Sequence, residues 1–423
     1  MDAPKSMSRR RKYSEGTRLV GIFLPHELIT QILSFLPVKH LMQLKCVCKS
    51  WKTLISNDST LVKLHLKRSA KRVALFSFTC NKSRKLCSVR FPKVSFEKGK
   101  EPKQKLTDAF GAFLYPVGCC NGLLCLVGYY LTNDHHAEIW LYLYNPATKT
   151  FSNKIVFLSK PRAYYLRFGI IFRFQHGWKF AFGYDNSTDT YKIVAFCLLT
   201  NEVRVFNFGD NVWRNIQSFP VVPVDRGGFP SDEQCHPGIN NGVYVNVSGT
   251  LNWLSIQNNF EYKNEIDWKH ITIDQFVIIS LDLSTETYLQ LLPPSDFDKL
   301  PCLQPTLVVL MDCLCLSFSH GFDGTDFIIW QMKEFGVQES WTQLLKISYR
   351  NLRSLMSYDY ESLLFPVCVS GNGDTLILAW GKSNEKAILC TLSDNSVKKS
   401  RKFTNEIRWY LAKDYVESLV SID

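Results

Sequence analysis

Cysteine and histidine are the side chains whose spacing most invites a chemical reading. The chain of 423 residues holds 14 cysteines, among them two C-x-C pairs (Cys46 with Cys48, Cys313 with Cys315) and the adjacent Cys119 and Cys120. A structural zinc site needs four thiolate or imidazole ligands, commonly supplied through C-x-x-C spacing and paired histidines. That spacing is missing, so the thiols are expected to be free and buried as small hydrophobes. His135 and His136 adjoin in a polar stretch, where a solvated imidazole is the ordinary state. The glycines of "SGNGD" at 370–374 resemble a phosphate loop, yet strand-like runs flank them and a hairpin turn fits better. No G-x-S-x-G elbow, H-E-x-x-H pair or Walker loop occurs. The expectation is a chain with no catalytic residues, no metal ligands and no cofactor.

Binding is the other chemistry that residue types announce. The net charge of +12 is uneven: residues 1–105 carry 24 Lys and Arg against 6 Asp and Glu, and the remainder carries 26 against 32. Such a basic block suits nucleic acid, an acidic protein or a solvated tail. "RRRK" at 9–12 is a weak nuclear-import signal inside residues 1–19, which read as a basic disordered tail. From Ile139 to Tyr184 there are seven basic residues and no acidic one, with Tyr164, Tyr165, Phe168, Phe172, Phe174 and Trp178 interleaved. That mixture serves single-stranded nucleic acid. It equally serves a protein-binding face, and buried strands with basic tips are the commonest source of it. Nucleic acid is therefore not the favoured partner.

The elements that must position these residues fall into two kinds. No apolar run reaches the roughly 18 residues of a membrane span, and "MDAPKSMSRRRKYSEGTR" lacks a secretory core. Cytoplasm or nucleus is the expected setting. Near the amino terminus, "LPHELITQILSFLPVKHLMQLKCVCKSW" (24–51) has helical periodicity. Pro25 fits a first turn and Glu27 favours the positive end of the dipole. Leu28, Ile32 and Leu36 form one stripe and Ile29 and Leu33 another, on a helix of about three turns that ends at Pro37. Two further short helices are expected, with Leu41 and Leu44 inward on one and Trp51, Leu54 and Ile55 on the next. Three short helices of this size make a marginal core, so the surplus apolar surface asks for a partner or for the downstream domain.

The order Leu-Pro, "ILSFLPVKHL", "VCKSW" and "LI" resembles the F-box, over about residues 20–66. His26 and His40 depart from the usual residues, off the apolar stripe. The resemblance implies docking to a Skp-type adaptor and, through it, to cullin and RING subunits of an SCF ubiquitin ligase. The adaptor-contacting positions it implies are Leu24, Pro25, Ile32, Leu36, Pro37, Leu41, Val47 and Trp51, with Leu36 and Trp51 as anchors.

Beyond residue 70 the pattern turns strand-like. "RVALFSF", "GLLCLVGYY", "IWLYLYN", "YKIVAFCLL", "VRVFNF", "LNWLSI", "FVIISLDL" and others alternate with turn residues. "LYNPATKTF", "GYDNSTDTY" and "SLDLSTETY" share a polar anchor (Asn145, Asp185, Asp282) followed by Thr-x-Thr and an aromatic. The anchor opens a turn by accepting from the backbone ahead of it. Separations of 40 and 97 residues approximate one and two propeller blades. About five blades can be counted, with "RVALFSF" and "LCSVRF" in a sixth closed by the carboxy terminus, against a β-sandwich pair as the alternative.

"GCCNGLLCL", "LYNPATKTF", "FAFGYDNSTDTYKIV", "GVYVNVSGTLNWL", "IISLDLSTETY", "WQMKEFGVQESWTQL" and "YVESLVSI" together resemble the F-box-associated domain of plant F-box proteins. The fold class expected is α+β and mainly β, a small helical F-box followed over 70–423 by a β-propeller-like, kelch-like domain of short antiparallel strands. The function expected is a non-catalytic, substrate-recognition subunit binding a target protein through its β domain. A propeller scaffold outside the ubiquitin system, with RNA as a conceivable associate, is the alternative. Two long irregular segments, 217–242 with four prolines and four glycines and 257–275 with aromatics among charges, are candidate target loops. Arg226, Phe229, Tyr262 and Trp268 are the target-binding candidates within them.

Overall fold

A computed structural model describes residues 24–69, 71–78, 84–89, 104–105, 114–131, 137–157, 178–197, 200–224, 244–257, 275–294, 305–320, 326–353, 364–370, 373–380, 386–402 and 413–422. The expected tail lies outside these residues. Four helices come first, one more than the sequence pattern indicated. α1 (His26–Leu33) is capped by Pro25, whose carbonyl accepts from Leu28 and Ile29 N–H at 3.1 Å each. Pro37 does not close α1 directly. It is the N-cap of α2 (Val38–Leu44), and residues 34–36 form the intervening turn. α1 is accordingly about two turns long, not three. After α3 (Lys49–Asn57), the Asp58 carboxylate accepts from Thr60 N–H (2.8 Å) and Leu61 N–H (3.1 Å) and starts α4 (Ser59–Arg68). An aspartate cap of this kind stabilises a helix start by about 1 kcal/mol. Helices this short are unstable alone. They converge on Leu33, Val38, Leu41, Leu54, Ile55 and Leu61.

The strands form six sheets among the described residues. Blade 1 holds β1 (Lys71–Phe78), β2 (Arg84–Val89) and β3 (Gln104–Lys105). Blade 2 holds β4 (Leu114–Cys120), β5 (Leu123–Leu131), β6 (Ala137–Asn145) and β7 (Thr150–Phe151), with β8 (Ile155–Phe157) also on β6. Blade 3 is β9 (Trp178–Asp185), β10 (Thr190–Cys197), β11 (Val203–Asn207) and β12 (Val212–Ile216). Blade 4 is β13 (Tyr244–Val247), β14 (Thr250–Ile256), β15 (Phe276–Asp282) and β16 (Tyr288–Leu291). Blade 5 is β17 (Thr306–Leu310), β18 (Cys313–His320), β19 (Asp326–Met332) and β20 (Trp341–Ser348). Blade 6 is β21 (Leu364–Val369), β22 (Thr375–Trp380), β23 (Lys386–Thr391) and β24 (Val397–Lys402). Finally β25 (Lys413–Val416) returns to pair antiparallel with β1, so the last strand of the chain completes the first blade. Closure of this kind protects strand edges that an open sheet would expose.

The core lies between blades. Phe180 and Phe182 of β9 pack with Val117, Leu141 and Phe157 of blade 2, while Ala181 between them packs with Leu251 and Trp253 of blade 4. This is the period-two alternation of a strand, with both faces of the blade buried. It explains why these strands read as continuous apolar runs, as in the buried "FVII" that opens β15. Six separate sheets packed in this way exclude the sandwich alternative.

The three Thr-x-Thr segments adopt one turn. Asn145, Asp185 and Asp282 each accept from the N–H groups two and three residues on, at 2.6–3.4 Å. Their threonine hydroxyls pair at 2.7–2.8 Å, and Lys149, Asp189 and Glu286 take positive φ of 63°, 56° and 58°. Blade position differs, however. Asn145 and Asp282 join third to fourth strands, whereas Asp185 joins the first strand of its blade to the second. In blade 3 the third-to-fourth turn starts at Asn207, which accepts from Gly209 N–H at 2.9 Å. The shared turn is a local device that any hairpin at this end accepts, so the separations of 40 and 97 residues do not count blades. Both classes of turn lie at one end of the ring: Ser284 Oγ donates to Asp185 at 2.9 Å, and Leu283 N–H to Gly249 O at 3.1 Å.

Candidate functional site

The helices carry a concentrated exposed apolar face. α1 separates its two stripes. Leu33 is buried, Ile29 packs beside it, and Leu28 and Ile32 on the other stripe are 50% and 54% exposed. Phe35 (71%) and Val47 (64%) continue that outer face, with Leu24 (46%) at its start and Pro25 and Pro37 exposed beside it. Single exposed apolar residues are ordinary, but a contiguous set marks an interaction surface.

The face is held from behind by α4. The buried His65 donates from Nε2 to Leu36 O at 3.0 Å, and Arg68 reaches Gln31 O (3.1 Å), Gln31 Oε1 (2.5 Å) and Ser34 Oγ. The Arg68 guanidinium also lies 4.1 Å from the Phe35 ring centroid, a cation–π contact that orients the ring without burying it. Burial lowers the His65 pKa, partly opposed by the Leu36 bond and by Glu417.

The residues expected to contact an adaptor divide accordingly. Leu24, Pro25, Ile32, Pro37 and Val47 lie on the exposed side. Leu36 and Trp51 are half-buried against the helical core, so truncating either disturbs packing as well as the surface. Leu41 is corrected: it is fully buried at the centre of that core and has no outward surface. Leu28 and Phe35 are absent from the expected set but present on the face. Extending the stripe by helical steps leads to Leu36. The turn after Leu33 instead sends Leu36 inward and Phe35 outward, and Pro37 was the available signal for that turn.

The four target candidates, Arg226, Phe229, Tyr262 and Trp268, lie outside the described residues. The bases of their segments are described and adjacent: Val224 N–H donates to Leu254 O (2.9 Å) and Gln257 N–H to Gln275 O (2.6 Å). Of the basic aromatic stretch, Trp178 and Phe180 are buried in the core between blades 2 and 3 and offer no stacking platform. Arg204 stacks on Trp178 at 4.9 Å instead.

The thiols are free among the described residues, and burial raises Cys120, Cys315 and Cys390 to about 12. Cys46 and Cys48 depart from the expected burial and are exposed beside Val47. Among the described residues no cluster of His, Cys, Asp and Glu has metal-binding geometry, and no helix is long and apolar enough to cross a membrane.

Comparison with known proteins places this architecture. An F-box associated beta propeller domain model matches residues 71–422, and an F-box-like model matches residues 22–67. The chain belongs to the plant F-box proteins that carry an F-box-associated β-propeller. It is 28% identical over 77% of its length to F-box/kelch-repeat protein At3g23880 of Arabidopsis thaliana, covering 79% of that protein. Putative F-box protein At1g33530 of the same plant is 27% identical over 75% of this chain and 61% of its own length. Among solved structures, the periplasmic gluconolactonase PpgL of Pseudomonas aeruginosa aligns with 78% of this chain and 83% of its own at 10% identity and a TM-score of 0.40, too distant to bear on function.

Proposed function

We propose that this chain is the substrate-recognition subunit of an SCF-type ubiquitin ligase. The observation that carries the reading is the exposed apolar face of Leu24, Leu28, Ile32, Phe35 and Val47 on an F-box-like module. That face docks a Skp-type adaptor, which joins the chain to cullin and RING subunits. Covering a large apolar side chain stabilises a complex by about 1.5–3 kcal/mol, and hot spots of this kind dominate interfaces. The propeller holds a target protein, and the connections at 217–242 and 257–275 with Arg226, Phe229, Tyr262 and Trp268 are the proposed contact region. The chain itself performs no bond chemistry. It converts an encounter between target and ubiquitin-carrying subunits into a proximity effect. The setting is the cytoplasm or nucleus.

Purified chain mixed with a purified Skp-type adaptor, cullin and RING subunit tests the reading. Co-elution of all four in one size-exclusion peak is expected. Elution of the chain apart from every Skp-type adaptor offered would overturn it.

A further inference from the structure

The core of the helical module is completed by residues from the far end of the sequence. Leu419, only 5% exposed, packs with Leu33, Val38, Leu41, Leu54, Ile55 and Leu61, and Ala147 of the Asn145 turn packs beside them. Leu419 sits two residues past Glu417, directly after β25 has paired with β1. Its neighbours turn the other way: Val420 and Ile422 pack on the core between blades 2 and 3. One short segment thus joins the closing strand, the second and third blades and the helices.

Asn145 explains how the segment is gripped. Its Nδ2 donates to Ser418 O (3.1 Å) and Val420 O (2.9 Å), while its Oδ1 holds the turn through Ala147 and Thr148 N–H. Both amide hydrogens and the carbonyl are therefore used. The other two Thr-x-Thr turns open with aspartate, at 185 and 282, while the third-to-fourth turn of blade 3 opens with Asn207. Aspartate would serve the turn equally but would set a carboxylate against two carbonyl oxygens. At Asn145 an amide satisfies both the turn and the two carbonyls of the carboxyl-terminal segment. Gly122 supplies the opposite wall: at φ +81°, a Cβ there would lie 2.4 Å from both Ser418 Cβ and Val416 O.

We propose that residues 415–422 are a strut, with Leu419 and Asn145 as positioning residues that fix the helical module against the propeller. Closure of the ring and orientation of the docking face are then one structural event. In the ubiquitin-ligase reading, this sets the direction in which a bound target is presented, and only that consequence rests on the reading. The Lys63–Asp189 ion pair at 2.9 Å adds a second contact, but it is solvated and secondary.

The test uses the full chain with spin labels on ketone-bearing residues introduced at the exposed positions Lys39 and Gln290. The parent should give a single narrow distance distribution by pulsed dipolar spectroscopy. Leu419→Asp and Asn145→Asp should each at least double its width, with the β-sheet circular dichroism retained, and Leu419→Ile should restore the parent width. If Leu419→Asp does not fold, Leu419→Ala is read by the same criterion. Parent-like widths in Asn145→Asp together with either folded Leu419 variant would overturn the strut. Adaptor binding by the same variants tests the functional reading separately, because the distance needs no adaptor.

Discussion

In the blades, Phe182, Ile193, Trp253 and Ile279 are fully buried, whereas α1 and the turns around it leave Leu28, Ile32, Phe35 and Val47 in solvent. Both regions are apolar in sequence, and both are ordered around well-packed cores. The blades bury most of their large apolar side chains between sheets, and those left exposed, among them Phe151, Val156, Val212 and Met311, are spread over several blades. The helices satisfy one stripe and leave the other open. The difference is one of concentration: Leu24, Leu28, Ile32, Phe35 and Val47 gather on one small module, the pattern of an interaction surface.

Polar groups draw the same contrast within the propeller. Asp185 is buried and accepts from Ser187, Thr188, Ser284 and the equally buried Lys192 (2.9 Å), whose ammonium also reaches Leu283 O and Glu286. Asp282, in the same type of turn, accepts from Ser284 and Thr285 N–H near solvent. In sequence the two are equivalent anchors of one motif. The structure separates them. Asp185→Ala removes the acceptor of Ser187, Thr188 and Ser284 and leaves the buried Lys192 ammonium only the Glu286 carboxylate, itself shared with Arg214, so it should cost about 3 kcal/mol, read as a lower midpoint in chemical denaturation.

The pH dependence of stability should show the same residue. Burial alone would raise the Asp185 pKa, but hydrogen bonds from Ser187, Lys192 and Thr188 outweigh it and hold the carboxyl below its usual range. A depressed pKa contributes stability that is present above about pH 4 and lost as pH falls below it. The melting temperature of the parent should therefore drop more steeply below about pH 4 than that of Asp185→Asn. Equal acid limbs would remove Asp185 from the account. Asp282→Ala should cost about 1 kcal/mol, and Lys63→Ala no more than about 0.5 kcal/mol, because its ion pair with Asp189 is exposed. A large loss in either would blur the comparison between buried and solvated anchors, and thermal denaturation decides both.

The strands were legible because burial on both faces writes itself as unbroken apolar runs, as in residues 276–279 of β15. The Thr-x-Thr turns were legible because their bonds span three residues. Closure by the carboxy terminus followed from an unpaired pair of early strands. What escaped depends on contacts distant in sequence. Nothing near Leu419 says that it enters a helical core, and nothing near Lys192 says that Asp185 faces it. The helical face was legible as a surplus but not by residue, since Leu41 and Ile32 are both apolar members of short helices and only packing tells inward from outward. α4 was missed although Asp58 before "STLVKLHLKR" is a recognisable cap.

The central claim is that the open stripe of α1 is the adaptor-docking surface, and one titration tests it most directly. A Skp-type adaptor is titrated by calorimetry into the parent chain and into an Ile32→Asp, Phe35→Asp double variant, with melting temperatures measured alongside. Two lost hot-spot contacts of at least ~2 kcal/mol each predict binding weakened by roughly a thousandfold, with the melting temperature little changed because both side chains are more than half exposed and Phe35 gives up only its contact with Arg68. Parent-like affinity in a folded double variant would contradict the account.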